Sequence, residues 1–300
     1  MGTPEFAACS LRTVEQEGHE VLAVFTKPDR PQNRGMHMAE SPVKRLAQSM
    51  GVPVYQPITL KDGQAEAIIR ELRPDIIVVV AYGKILPESI LEIPEKGCVN
   101  VHASLLPQYR GAAPIQWAVL NGDRETGVTI MYMSPEMDTG DIITQRKTEI
   151  LPDETSGELF DRMMLLGAGL LADTMVEIQA GKCERIAQDE SQVTFAPPLT
   201  KDLSPIDWSR SALEIKNQVR GLIPWPVATA EIAGKVLKLY KVDAVTEYES
   251  RDYRPGSIIP ADKGKLLVAC GQGAVLIKEL QAPGKKRMRA EDYLRGNPIC

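Results

Sequence analysis

Over the first 180 residues, apolar positions follow two spacings that take turns. Short β-branched runs at Val21–Phe25, Val52–Tyr55, Ile76–Val80, Cys98–Ala103 and Val128–Met133 read as strands. Between them, apolar residues three and four apart predict helices over Pro4–Glu17, from Ser41-Pro42 to Gly51, over Asp62–Leu72, Pro114–Leu120 and Ser156 to Ala180. Ile76–Val80 is apolar at every position, the mark of a strand covered on both faces. Strand–helix alternation of this kind predicts an α/β domain built on a Rossmann-like open parallel sheet. Thr3-Pro4-Glu5 carries helix-start chemistry and Gly18 a stop, so the first helix begins almost at the first residue.

The pattern changes after Gly181. Cys183 to Leu203 has weak periodicity and contains Pro197-Pro198, so residues 183–203 read as a linker between a domain at 1–182 and another at 204–300. The second region opens with one amphipathic helix, Ser211–Leu222. Short strands follow at Ala228–Ile232, Val236–Val245, Ser257–Ile259, Leu266–Ala269 and Ala274–Leu280, split by Gly, Pro and Asp turns. That arrangement predicts a small C-terminal β-barrel of the OB-like kind, or a sandwich.

Charge follows the same division. Residues 1–199 hold 18 basic and 28 acidic side chains, whereas residues 200–300 hold 17 and 12. The net charge of −5 hides a basic C-terminal module whose densest cluster is Lys285, Lys286, Arg287 and Arg289. A basic β-module beside an acidic α/β domain points toward a nucleic-acid partner, and a solvated basic loop is the plainer alternative. The longest apolar run, Ile76–Tyr82, is far short of the roughly 20 residues of a membrane helix. Five scattered cysteines form no CxxC pair and no zinc pattern, as expected of a reduced, cytoplasmic chain without a structural metal.

Three histidines are present. His19 follows a helix stop and His37 lies in a polar loop, so both read as surface residues. His102 ends a strand, and strand alternation puts it on one face with Asn100. The next strand runs into Ser134–Asp141, a tight loop with carboxylates at Asp138 and Asp141. A carboxylate near an imidazole fixes its tautomer, and an Asn amide can donate to an oxyanion. Asn100, His102 and Asp138 on neighbouring strand ends suit acyl transfer without a covalent enzyme intermediate. Ser104 is the one candidate nucleophile on the same face, but it lacks the Gly-x-Ser-x-Gly elbow.

Asn100-Val101-His102, Ser104-Leu105-Leu106-Pro107, Tyr109–Pro114 and Asp138-Thr139-Gly140-Asp141 resemble the formyltetrahydrofolate-dependent formyltransferases. Gly2–Ala7, Phe25–Pro31, Ser41–Lys44, Val80–Gly83 and Pro224-Trp225-Pro226 extend the resemblance over the whole chain, toward the members that formylate methionyl-tRNA. It implies 10-formyltetrahydrofolate as co-substrate, initiator Met-tRNA as partner, and a monomer. Residue by residue, it implies Asn100 at the oxyanion, His102 in proton transfer and polarisation, and Asp138 orienting the histidine or a water. The folate would lie against Lys84, Ile85 and Leu86, the segment Ser104, Leu105, Leu106 and Pro107, and Met133 and Met137. The tRNA would be met by Arg30 and Arg34 in a loop at its acceptor end, and by Lys285, Lys286, Arg287 and Arg289 on the barrel. Met36-His37-Met38 stands where relatives often carry lysines, so weaker phosphate contacts are expected there.

Competing readings are a formyltransferase acting on an amino-sugar nucleotide or glycinamide ribonucleotide, a hydrolase of formyltetrahydrofolate, and an inactive RNA-binding relative. The first two give the basic module no purpose, and the intact Asn100, His102 and Asp138 argue against the last. The resemblance also makes Gly2-Thr3-Pro4 the turn after a first, central strand. The natural product is therefore expected to begin about ten residues upstream, a span sufficient for one strand.

Overall fold

The computed structural model describes residues 1–32, 37–248, 253–262 and 264–297 of the 300. Its contacts divide the chain into two units. One comprises Met1–Pro114, Glu125–Glu149 and Phe160–Pro197; the other comprises Ile115–Arg124, Ile150–Leu159 and Pro198–Cys300.

In the first unit, Ile77–Val79, Cys98–His102, Glu125–Tyr132 and Ile142–Glu149 form a four-stranded sheet in that order. Ile77–Val79 and Cys98–His102 pair in parallel, as the continuous apolar run predicts, and Val24–Phe25 pairs in parallel with Val54–Tyr55. Glu125–Tyr132 and Ile142–Glu149 extend the sheet antiparallel. Ile142–Glu149 is absent from the sequence reading because Gln145, Arg146 and Lys147 are exposed, and an outer strand needs no apolar run. Helices Glu5–Gln16, Pro42–Ser49 and Gln64–Leu72 lie close to their predicted positions. Pro4 caps the first helix instead of opening its first turn. The second helix starts where Ser41 Oγ accepts the Lys44 N–H at 3.0 Å. Phe25, Ile69, Ile77, Tyr82, Leu86 and Ile90 share one buried cluster, and Phe6 packs edge-on against Phe160 of the helix Ser156–Gln179.

Met1 and Gly2 lie between the Val24–Phe25 ladder and the Ile77–Val79 strand. The Gly2 N–H donates to the Phe25 carbonyl at 3.0 Å, the Val80 N–H to the Met1 carbonyl at 2.9 Å, and the Met1 amine to the Val78 carbonyl at 2.7 Å. Beyond them runs a cleft of about 270 Å³ lined by Leu11, Val14, Ala23, Val24, Ile69 and Ile77. On its two sides, Ala23 and Ile76 make no backbone–backbone hydrogen bond among the described residues.

The segment expected as a polar loop, Lys27 to Glu40, contains a short antiparallel pair, Arg30–Gln32 with His37–Ala39. Its base is fixed by Asp29, which accepts from Lys44 Nζ at 2.5 Å and from Gln56 Nε2 at 2.8 Å. The Lys44 bond is the main cause that holds the Asp29 carboxyl below its ordinary range.

Residues 183–197 are bound along the first unit. Ile186 exchanges both backbone hydrogen bonds with Ile142, and Phe195–Ala196 pairs in parallel with Arg110–Gly111. Backbone and polar side-chain bonds hold this stretch, so it needs no apolar periodicity.

In the second unit, Ala228–Ile232, Lys235–Val245, Ala274–Gln281, Leu266–Ala269 and Ile258–Ile259 form an antiparallel path in that order, with Met288–Arg289 added beside Ala274–Gln281. No ladder joins the two ends of the path among the described residues, so the sheet is a half-barrel. Helix Ala212–Gly221 opens with a capping box between Ser211 and Glu214 and buries Ile215 and Val219 in the same core as Leu237, Leu239 and Val275. No helix among the described residues is long and apolar enough to cross a membrane.

Candidate active site

The strand Cys98–His102 carries both Asn100 and His102, two residues apart and on one face. The Asn100 side chain makes no hydrogen bond among the described residues, so its amide donors are uncommitted. His102 is buried. Its Nε2 lies 3.0 Å from the Tyr109 carbonyl, an acceptor only, so this nitrogen carries the hydrogen. Its Nδ1 faces Asp138 Oδ2 at 3.7 Å.

Asp138 reaches this position by an unexpected route. Glu125–Tyr132 runs antiparallel to Cys98–His102, with Tyr132 opposite Val99 and Thr129 opposite His102. Its carboxyl end therefore lies beside the start of the histidine's strand, not beside His102 as neighbouring parallel strand ends would require. The loop 133–140 turns back to bring Asp138 to the ring. Two features shape that turn. Asp138 adopts φ +57°, and a Cβ on Gly140 would overlap the Tyr132 carbonyl oxygen at 1.7 Å, so only glycine fits. Asp138 Oδ2 also accepts the Gly111 N–H at 2.8 Å.

The segment after His102 is tied to the sheet from below. Thr129 Oγ1, fully buried, donates to the Ser104 carbonyl at 2.6 Å and accepts the Leu106 N–H at 3.1 Å. Gln145 Nε2 donates to the Leu106 carbonyl at 2.8 Å and to Thr129 Oγ1 at 2.9 Å. Ser104 is fully buried and its Oγ donates to the Gln108 carbonyl at 2.6 Å, which leaves no exposed nucleophile there. Leu106 is also buried, in a cluster with Met131 and Ile142, while Leu105 and Pro107 are half-buried.

Of the residues expected against a folate, Ile85 (67% exposed) and Met137 (58% exposed) offer apolar surface. Leu86 belongs to the core cluster, with Met133 packed against that cluster. Lys84 Nζ donates to the Pro57 and Ile58 carbonyls, fastening its loop. Burial raises the Tyr82 hydroxyl to about 12, so it stays neutral.

Several groups of the site have no role assigned from the sequence. Arg110 is buried; its Nε and Nη2 donate to Gln188 Oε1 at 3.0 and 2.8 Å, and its Nη2 to Glu190 Oε1 at 2.8 Å. These Arg110 bonds hold the Glu190 carboxyl below its ordinary range. Gln188 lies in the stretch read as a linker, where no motif signals it.

Arg34 is outside the described residues, and Arg30 begins the short hairpin. In the second unit, Lys285, Lys286, Arg287 and Arg289 are all exposed. Arg287 is paired with Glu279 at 2.6 Å and sits over the Tyr240 ring; the other three have no acidic partner among the described residues. The described residues hold no cluster of three or more metal-ligating side chains.

Residues 1–175 match the family described as Formyl transferase, and residues 198–298 match Formyl transferase, C-terminal domain. The methionyl-tRNA formyltransferase of Alkaliphilus oremlandii is 51% identical over 299 residues, covering 100% of this chain and 96% of that protein. The methionyl-tRNA formyltransferase of Geobacter metallireducens is 48% identical, covering 99% and 94%. Among solved structures, the sugar 3N-formyl transferase WlaRD, determined in the presence of dTDP and 5-N-formyl-THF, superposes with a TM-score of 0.69 at 18% identity, over 95% of this chain and 97% of that one. That likeness concerns the fold alone. On two family matches and close full-length relatives, the chain belongs to the methionyl-tRNA formyltransferase family.

Proposed function

We propose that the chain transfers the formyl group of 10-formyltetrahydrofolate to the α-amino group of methionine on initiator tRNA, by direct attack. The observation that carries this reading is the meeting of His102, Asp138 and an uncommitted Asn100 amide in a chain about half identical to methionyl-tRNA formyltransferases over its whole length.

The geometry suggests how the parts divide the work. The amine nitrogen forms a bond to the formyl carbon, and the bond from that carbon to the folate nitrogen breaks. Asn100 donates to the formyl oxygen as negative charge develops on it, an interaction stronger in the transition state than in the ground state. A proton must leave the attacking amine and one must reach the departing folate nitrogen. His102 Nδ1, the ring nitrogen not held by Tyr109, serves that exchange, and Asp138 balances the charge that the ring gains. Ile85 and Met137 form apolar walls for the pterin, with loop backbone groups as its polar partners. Lys285, Lys286 and Arg289 attract the tRNA backbone without reading sequence, and Arg30 and Arg34 meet the acceptor end. All of these residues belong to one chain, in keeping with a monomer.

The test is a formyl-transfer assay with labelled 10-formyltetrahydrofolate offered Met-tRNA, a dTDP-amino sugar or glycinamide ribonucleotide. Label is expected only on Met-tRNA. Label on either small acceptor instead, or release of free formate alone, would overturn the reading.

A further inference from the structure

We infer that Gln188, held by Arg110, is a positioning residue that sets Asp138 against His102. The inference rests on the reading of Asp138 given above. Gln188 Nε2 donates to the Asp138 carbonyl at 2.9 Å and to the Gly140 carbonyl at 2.8 Å. One amide group thus grips both sides of the turn in which Asp138 takes a left-handed backbone conformation. Such a conformation is strained for a non-glycine residue, and it persists only where neighbours enforce it.

The direction of the amide is not arbitrary. Arg110 has only donors, and two of them, Nε and Nη2, converge on Gln188 Oε1. The oxygen must face Arg110, which leaves both amide hydrogens for the two loop carbonyls. Arg110 is itself fixed: it is buried, paired with Glu190, and its strand is laced to Thr194 and Ala196 of the same segment as Gln188. That strand ends on Gly111, whose N–H holds Asp138 Oδ2, and begins after Tyr109, whose carbonyl holds His102 Nε2. Residues 186–196 therefore fix the backbone of Asp138, the hydrogen bond to its carboxylate and the carbonyl facing the imidazole. Gln188 touches no atom that reacts; it acts through Asp138.

Gln188→Met keeps the bulk and removes every hydrogen bond, while Gln188→Glu keeps an acceptor for Arg110 and sets oxygen against the two carbonyls. Each is expected to lower kcat about tenfold to a hundredfold, the scale of a misplacement near 1 Å, with KM for both substrates changed less than about threefold. Gln188→Met is then combined with Asp138→Ala, each protein assayed at a temperature where circular dichroism shows it folded. In that background the Gln188 change is expected to alter kcat less than about twofold, because the group it positions is gone. An equal loss in both backgrounds, a loss carried by KM, or full activity of Gln188→Glu would overturn the inference. If Gln188→Met fails to fold, Gln188→Glu decides alone. Wild-type kcat in Asp138→Ala alone would instead overturn the reading of Asp138, so the two failures are distinguishable.

Discussion

Oδ2 of Asp138 stands 3.7 Å from Nδ1 of His102, while the ring's other nitrogen is held by the Tyr109 carbonyl. The separation exceeds hydrogen-bond length but falls within ion-pair range once the ring is protonated. Asp138→Asn retains an oxygen for the Gly111 N–H and removes the charge. It is expected to lower kcat by about 10²–10⁴-fold with near-normal KM for both substrates. Steady-state kinetics check this, and a kcat within about threefold of wild type would remove Asp138 from the chemistry.

Ser104 separates direct transfer from a covalent route. Its hydroxyl is buried and donates to the Gln108 carbonyl, so it supports the loop instead of meeting a formyl carbon. Ser104→Ala is expected to keep kcat within about threefold of wild type and to lose about 1 kcal/mol of stability in urea titration. Abolished transfer together with a formyl adduct on the wild-type enzyme in intact-mass spectra would show that the loop has been misread.

The basic cluster makes a quantitative electrostatic prediction. Lys285 and Lys286 are exposed and lack acidic partners among the described residues, whereas Arg287 is already neutralised by Glu279. Replacing Lys285 and Lys286 by glutamate should weaken all tRNAs alike. The slope of log affinity on log salt should become shallower by about 0.9 for each phosphate that is no longer neutralised. An unchanged slope would place tRNA elsewhere.

Glu214 gives the second unit a pH dependence. Its carboxylate accepts the Ser211 hydroxyl at 2.7 Å and the Ser211 N–H at 3.0 Å, and these bonds, hydroxyl first, together with the Arg210 guanidinium, bring it from 4.5 to about 2. The folded state therefore prefers the charged form. Its stabilisation is complete above the unfolded value of 4.5 and is lost as pH falls toward 2. Glu214→Gln should melt below wild type at pH 6, with the gap closing between pH 4.5 and 2. A gap independent of pH would mean that the charge contributes nothing.

Much of this site is legible in the sequence because strand periodicity is local. Asn100 and His102 share a face by spacing alone, and the helix Ser211–Leu222 and the barrel strands end within a residue or two of their turn signals. What the sequence conceals depends on strand direction and on polar backbone bonding. Nothing in Val128–Met133 says that it runs antiparallel to the histidine's strand, so the return of Asp138 across the sheet has no local signature. Gln188 and Thr194 act through backbone carbonyls and N–H groups in a stretch without periodicity, where apolar patterning carries no information. Leu86 and Ile85 look equivalent in sequence, yet one is core and the other surface.

His102→Ala, measured for formyl transfer and for Met-tRNA affinity on the same preparation, tests most directly whether the reaction takes place at His102. Transfer is expected to fall by at least about 10²-fold, the lower end expected for a lost general acid–base, while the tRNA Kd stays within about twofold. Transfer close to wild type, or a tRNA affinity that falls with it, would contradict the placement of the reaction at His102.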